Sequence, residues 1–270
     1  MHAVSTLREL KWFKKKGVLM SKFSKLASML VMAASGAIAT AAPVVVFEND
    51  FNGALPAGIS PGTATLTGVQ GYAGLGPSGN QFGGNFLRSA TGNTITLQLN
   101  NLPAHNTISL HFLFAAIDSL DGTGTFPAGD FFKIVFDGAT LFSESFANAL
   151  PSQIQSYVPP SGVELARHAS LGFTPGGDAN SCCYSDSAYN LGADPRFSNF
   201  AHSASSATIE FFIFGPGNQD LNDESWAMDN LTVSVRTVDP GNNVPEPGSI
   251  ALLGLGLTSL AFLRRRCRRS

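Results

Sequence analysis

The sequence predicts an all-β chain: a single antiparallel β-sandwich with jelly-roll-like wiring, preceded by a signal peptide and followed by one apolar helix. Three observations predict it. Apolar residues recur with period two in segments separated by turn residues, the mark of half-buried strands. The body between the two ends is rich in Phe, Thr, Ser, Asn and Gly, holds Lys133 as its single lysine, and shows few amphipathic helical patterns. The ends are short apolar runs flanked by bases, unlike anything in the body.

The front end reads as an export signal over residues 1–41. Lys22 and Lys25 form a basic start, Leu26 to Ile38 an apolar run, and Ala39-Thr40-Ala41 a small-x-small site for signal peptidase before Ala42. Lys14 to Lys16 extend the basic region, so either Met20 is the true start or the signal is a long one. The apolar run is shorter than the roughly 20 residues a membrane span needs.

The sandwich domain is assigned to residues 42–239. Its first strand is Val44 to Phe51, followed by Gly-rich loops through Gly84. These loops lack the Gly-Lys-Ser/Thr ending of a phosphate cradle. Ile95, Leu97 and Leu99 then share one strand face, and Ile108, Leu110, Phe112 and Phe114 share another. Phe131–Phe136 and Ala139–Phe146 flank Asp137-Gly138, a hairpin turn. Gly162–Phe173, Ala207–Phe214 and Ser225–Val238 complete roughly eight to ten strands, the number a sandwich or jelly roll requires. In the last strand Trp226 and Met228 have one parity and Leu231, Val233 and Val235 the other. A β-bulge at Asp229-Asn230 accounts for the slip.

Charge is segregated. Twelve of the 17 Lys and Arg lie in the two ends, leaving Pro43–Val244 with five basic and 17 acidic residues, a formal charge of −12. A domain of that sign repels phosphate backbones, so nucleic acid is excluded as a partner. It suits an exported domain or one that collects cations. Cys182 and Cys183 are adjacent and Cys267 lies in the tail, which is neither a disulfide framework nor a metal spacing. The pair reads as free thiols or as a vicinal disulfide.

The C-terminal end has three parts: a Pro/Gly/Asn linker at 240–247, an uncharged segment at 248–263, and an Arg-rich tail at 264–270. As a helix the middle segment spans about 24 Å, short of a hydrocarbon core of about 30 Å. Snorkelling arginines or a thinned bilayer close the gap, and the positive-inside rule leaves the tail cytoplasmic and the body outside. Val244-Pro245-Glu246-Pro247, this short transmembrane helix and Arg264, Arg265 and Arg266 together resemble the PEP-CTERM sorting signal. The resemblance implies a transmembrane sorting helix, recognition by an exosortase near Pro245-Glu246-Pro247, and a Gram-negative envelope. It also implies export across the inner membrane, transient anchoring there, and a final place at the cell surface or in exopolysaccharide or biofilm matrix.

The two ends of the body carry a second resemblance. Phe47, Glu48 and Asp50, with Ala227, Met228, Asp229, Asn230 and Leu231, are similar to the opening and closing strands of jelly-roll adhesion and carbohydrate-binding modules. In those domains first and last strands meet. The resemblance therefore implies that Asp229 joins Glu48 and Asp50, which share a strand face, as a candidate structural Ca²⁺ site. The alternative is that Glu48 and Asp50 are solvated and Asp229 caps a turn.

Other acidic stretches, Asp118 to Asp130 and Asp220 to Glu224, miss the EF-hand spacing and read as solvated loops. No G-x-S-x-G elbow is present, and His105, His111, His168 and His202 make no i, i+4 metal pair. Tyr184 and Tyr189 are candidate sugar-stacking residues, whereas the parity of Trp226 places it in the core. The expected function is that of an exported, non-enzymatic surface or matrix protein with a structural or polysaccharide-binding role. The alternative is a secreted carbohydrate-active β-sandwich enzyme, a glycoside hydrolase or lyase.

Overall fold

The computed structural model describes residues 41–123, 129–148, 152–173 and 184–238. The segments expected to be a signal peptide, a linker, a sorting helix and an Arg-rich tail, together with Cys182 and Cys183, lie outside the described residues. Two antiparallel sheets face one another. The larger contains β3 (Thr65–Gly68), β4 (Asn85–Ala90), β13 (Glu224–Arg236), β6 (Thr107–Asp118), β10 (Asp186–Tyr189) and β9 (Glu164–Ala169), in that order. In the same sheet β1 (Val44–Asn49) pairs with β13, and β11 (Phe200–Ala201) pairs with β6. The smaller runs β2 (Ile59–Ser60), β5 (Thr94–Asn100), β12 (Ser206–Phe214), β7 (Phe131–Phe136) and β8 (Ala139–Ser145). The all-β sandwich expected from the alternation is therefore the fold. Its helical parts among the described residues are three-residue 3₁₀ turns.

The smaller sheet is patterned as its sequence predicts. Ile95, Leu97 and Leu99 of β5, Ile209, Phe211 and Ile213 of β12, and Phe132 and Ile134 of β7 all point inward. The outward positions of β5, Thr94, Thr96, Gln98 and Asn100, are polar, and Thr208 Oγ1 donates across strands to Gln98 Oε1 at 2.8 Å. Asp137 and Gly138 have φ of 49° and 79°, both positive, the mark of the primed turn that matches strand twist.

The central strands of the larger sheet, β4, β13, β6 and β10, are buried on both faces over most of their length. From β6, Ile108, Leu110, Phe112 and Phe114 enter the space between the sheets, while Leu113, Ala115 and Ile117 face a second apolar cluster outside it. Val69, Tyr72, Phe82, Phe86, Leu171 and Phe173 build that cover. Phe86 comes from β4 itself, and the residues directly after β3 and β9 supply the rest. Tyr72 Oη donates to the Ala116 carbonyl at 2.9 Å, so the buried hydroxyl keeps a partner.

The slip in β13 is a bulge. Asp229 pairs with Leu113 but Thr232 with His111, so three steps on β13 oppose two on β6. Asn230 takes φ of 51° there. Trp226 and Met228 before the bulge and Leu231, Val233 and Val235 after it all reach the same core.

Phe132 sits at the centre of the inter-sheet core, its ring within 6.4 Å of Phe112, Phe114, Phe142, Phe146 and Trp226. A Phe132→Ala substitution is expected to cost about 3–5 kcal/mol. Urea unfolding checks this: the midpoint falls with little change in slope.

Candidate functional site

Two acidic constellations stand out, and they differ in burial. The first lies where the opening and closing strands meet. Glu48 is paired with Thr232 and Asn49 with Leu231. Glu48, Asn49, Asp50, Asn80, His111 and Asn230 line a shallow groove of about 210 Å³, smaller than the roughly 300–1,000 Å³ of ordinary small-molecule sites. Glu48 and Asp50 are exposed. Asp50 accepts the Asn52 amide at 3.1 Å, and that bond holds its carboxyl below the usual range.

Asp229 is 1% exposed and turns away from solvent. Its Oδ2 accepts the Gly83 amide at 3.1 Å and its Oδ1 the Asn230 amide at 2.7 Å. Burial raises its pKa to about 7, against those two bonds and with help from the Asp50 charge. The bulge thus places Asp229 behind the groove, where it ties the cover loop to β13. Asn230 adds to the same tie, donating from Nδ2 to Gln81 O at 2.9 Å.

The second constellation corrects the sequence reading of solvated acidic loops. Asp121, Asp130 and Glu224 each bring a carboxylate oxygen within 4.8 Å of the other two. Asp130 is 1% exposed and Glu224 0%. Asp121 follows β6, Asp130 precedes β7, and Glu224 opens β13. Asp130 Oδ2 accepts the Asp121 amide at 2.8 Å, Gln153 Nε2 donates to Asp121 Oδ1 at 2.7 Å, and Gln219 Nε2 donates to Glu224 Oε1 at 3.0 Å. Glycines make room for this crowding. A Cβ at Gly122, where φ is 73°, would lie 2.4 Å from Ile154 O, and one at Gly215 would lie 2.5 Å from Gly129 O. Burial is the main reason that Glu224 is pushed to about 8 and Asp130 to about 6; the neighbouring carboxylates add to both.

Asp118, three residues before Asp121, is a further buried acid. It is 1% exposed, both of its oxygens lack a hydrogen-bond partner among the described residues, and Arg88 Nη2 stands 3.9 Å off. Arg88 is instead engaged by Ser225 Oγ at 3.0 Å and Leu221 O at 2.6 Å. Burial and the nearby Asp186 charge raise Asp118 to about 8, against the pull of Arg88.

The tyrosines also need correction. Tyr189 is 0% exposed, packs its ring against Phe146 and Tyr157, and donates its hydroxyl to Gln155 Oε1 at 3.2 Å. It belongs to the core and offers no face to a sugar. Tyr184 is exposed, at 38%. The tertiary fold further joins two histidines far apart in sequence. His105 Nε2 and His202 Nδ1 are 2.7 Å apart, and His202 Nε2 lies 3.2 Å from Asp137 Oδ2. Sequence spacing carried no signal for that pair.

Residues 243–269 match the family model described as the PEP-CTERM protein-sorting motif. The chain carries a PEP-CTERM sorting signal. Val244, Pro245, Glu246, Pro247, Arg264, Arg265 and Arg266 all fall within it, and it marks a secreted protein, anchored transiently at the membrane and processed by an exosortase. No curated protein matches the chain. Among solved structures, it is similar to a cycloisomaltooligosaccharide glucanotransferase from Paenibacillus sp., at 14% identity and a TM-score of 0.31, over 69% of this chain and 18% of that one. It is similar to a family 35 carbohydrate-binding module from Clostridium thermocellum, at 13% identity and a TM-score of 0.30, over 72% of this chain and 98% of that one. A GH115 4-O-methyl-α-glucuronidase matches at 10% identity and a TM-score of 0.31, over 76% of this chain and 19% of that one. The chain thus spans about a fifth of the two enzymes. Scores this low establish neither a shared ligand nor a shared activity.

The raised pKa of Asp118 has a definite sign. The native state binds this proton more tightly than the unfolded chain does, so the contribution is complete below about pH 4 and is lost as pH climbs through about 8. In metal-free buffer the urea midpoint is expected to fall between about pH 5 and 8, and to fall less steeply in Asp118→Asn.

Proposed function

We propose that this protein is an exported surface or matrix component whose sandwich is delivered outside the cell, and that it works there by binding or structuring polysaccharide, without catalysis. The observation that carries the reading is the sorting motif at residues 243–269. A chain sent through that route is cut near Pro245-Glu246-Pro247 and leaves its sorting helix behind. The body then joins the exopolysaccharide or biofilm matrix. Signal peptidase cutting after Ala41 completes the mature protein.

Burial supports the non-catalytic half of the reading. Paired glycosidase carboxylates flank a sugar, with about 5–9.5 Å between them and open access. Asp130 and Glu224 are at most 1% exposed, which leaves no path for a sugar between them. The exposed groove at Glu48, Asp50 and His111 and the exposed ring of Tyr184 are the surfaces on which polysaccharide contact is proposed.

Mass spectrometry of the protein recovered from culture tests the sorting half. The expected C-terminus lies near Pro245-Glu246-Pro247, and replacing Arg264, Arg265 and Arg266 by Ala leaves the uncut chain in the membrane fraction. An intact tail on the secreted protein would overturn the reading. A glycan array and a reducing-sugar assay on the same protein test the other half. Binding without turnover is expected; sugar release abolished by one carboxylate substitution would establish the enzyme instead.

A further inference from the structure

The cluster of Asp121, Asp130 and Glu224 leaves two buried carboxylate oxygens without a partner among the described residues. Glu224 faces the Asp130 and Asp121 charges. Gln219 donates to one of its oxygens, and the other, Oε2, is buried with no donor among the described residues. Asp130 repeats the pattern: the Asp121 amide takes Oδ2, and Oδ1 is buried without a partner. Among the described residues no Lys or Arg pairs with Asp130 or Glu224; the arginine ion pairs go to Asp118, Glu164, Glu144 and Asp194. Buried carboxylates are normally paired, or they coordinate a metal. Among the described residues no cationic side chain neutralises Asp130 or Glu224.

The donor set limits the ion. All three groups are hard carboxylate oxygens with no His or Cys among them, which disfavours zinc and favours Ca²⁺, an ion that accepts six to eight oxygens in irregular arrangements. The buried Oδ1 of Asn148, also without a partner, is one more oxygen in the neighbourhood, held there by Asn148 Nδ2 donating to the Asp118 carbonyl at 2.7 Å. Extracellular modules bind Ca²⁺ at about 10⁻⁴–10⁻³ M, so a protein exported by its sorting signal needs only modest affinity.

We propose that Asp121, Asp130 and Glu224 form a Ca²⁺ site that ties the end of β6 and the start of β13, both in the larger sheet, to the start of β7 in the smaller one. This site is distinct from Glu48, Asp50 and Asp229. It clasps the two sheets at one end of the sandwich and neutralises charge the core cannot.

The test is melting of the full chain in Ca²⁺ and in EDTA, with Tb³⁺ luminescence sensitised by Trp226 as a second readout. Ca²⁺ is expected to raise the melting temperature by several degrees, and Tb³⁺ emission to appear and then fall as Ca²⁺ displaces it. Glu224→Gln and Asp130→Asn abolish both effects. In EDTA the same variants melt at or above the parent, because an acid whose ionised form burial penalises is replaced by a neutral amide; in Ca²⁺ they melt below it. A merely structural role would not reverse the order. Asp121→Asn, at a part-exposed position, reads the same loss where a buried variant does not fold. Asp50→Asn keeps both effects. The proposal fails if the parent shows neither effect, if both survive in Glu224→Gln and Asp130→Asn, or if Asp50→Asn is the variant that removes them. No sugar enters these readouts, so their outcome is separate from the polysaccharide reading.

Discussion

The pairing of β13 with β6, and the bulge that interrupts it, is the constraint on which the rest of the structure depends. These two long strands form the spine of the larger sheet. One edge of β13 holds β6 along its length, while the other holds β4 before the bulge and β1 after it. A one-residue slip in a strand moves every following side chain to the opposite face. Without the extra residue at Asp229-Asn230, either Trp226 and Met228 or Leu231, Val233 and Val235 would face outward. The bulge lets both halves fill one core, and it frees Asp229 and Asn230 to fasten the cover loop through Gly83 and Gln81.

That cover explains why the larger sheet tolerates continuous apolar sequence. A sheet with one solvated face alternates; a sheet buried on both faces does not. Leu113, Ala115 and Ile117 would be a liability on an open face, but Tyr72, Phe82, Phe86 and Phe173 close over them. The smaller sheet has no such cover in β5 and β12, and there the alternation is clean.

The acidic balance of the body has a structural location. A formal charge of −12 spread over a surface would only keep the domain soluble and repel anions. Part of it is instead drawn inward, at Asp118, Asp130, Asp186, Glu224 and Asp229, where burial is the leading influence that raises each carboxyl. Asp186 shows how such a group is made useful: it accepts the amides of Leu171 and Asp118 and so pins the cover to β6. Asp130 and Glu224 have no comparable set of donors, and that contrast singles out their cluster as the place for a cation.

By itself the sequence determined the class of the fold, the Asp137-Gly138 turn, the core position of Trp226, the bulge and the sorting motif. Each of these is written in local order: alternation, a turn dipeptide, a parity slip, a tripeptide before an apolar run and arginines. The tertiary structure alone decided the rest. Asp121 and Glu224 are more than a hundred residues apart, and nothing in either loop signals that β6 and β13 will bring them together. Tyr189 sits in a polar stretch and reads as a surface ring, yet the pairing of β10 with β6 turns it into the core. Burial depends on what packs over a residue, and that is supplied by segments distant in the chain. Local pattern therefore announces a strand and its inward face, while the partners of a buried carboxylate appear only when the sheets close.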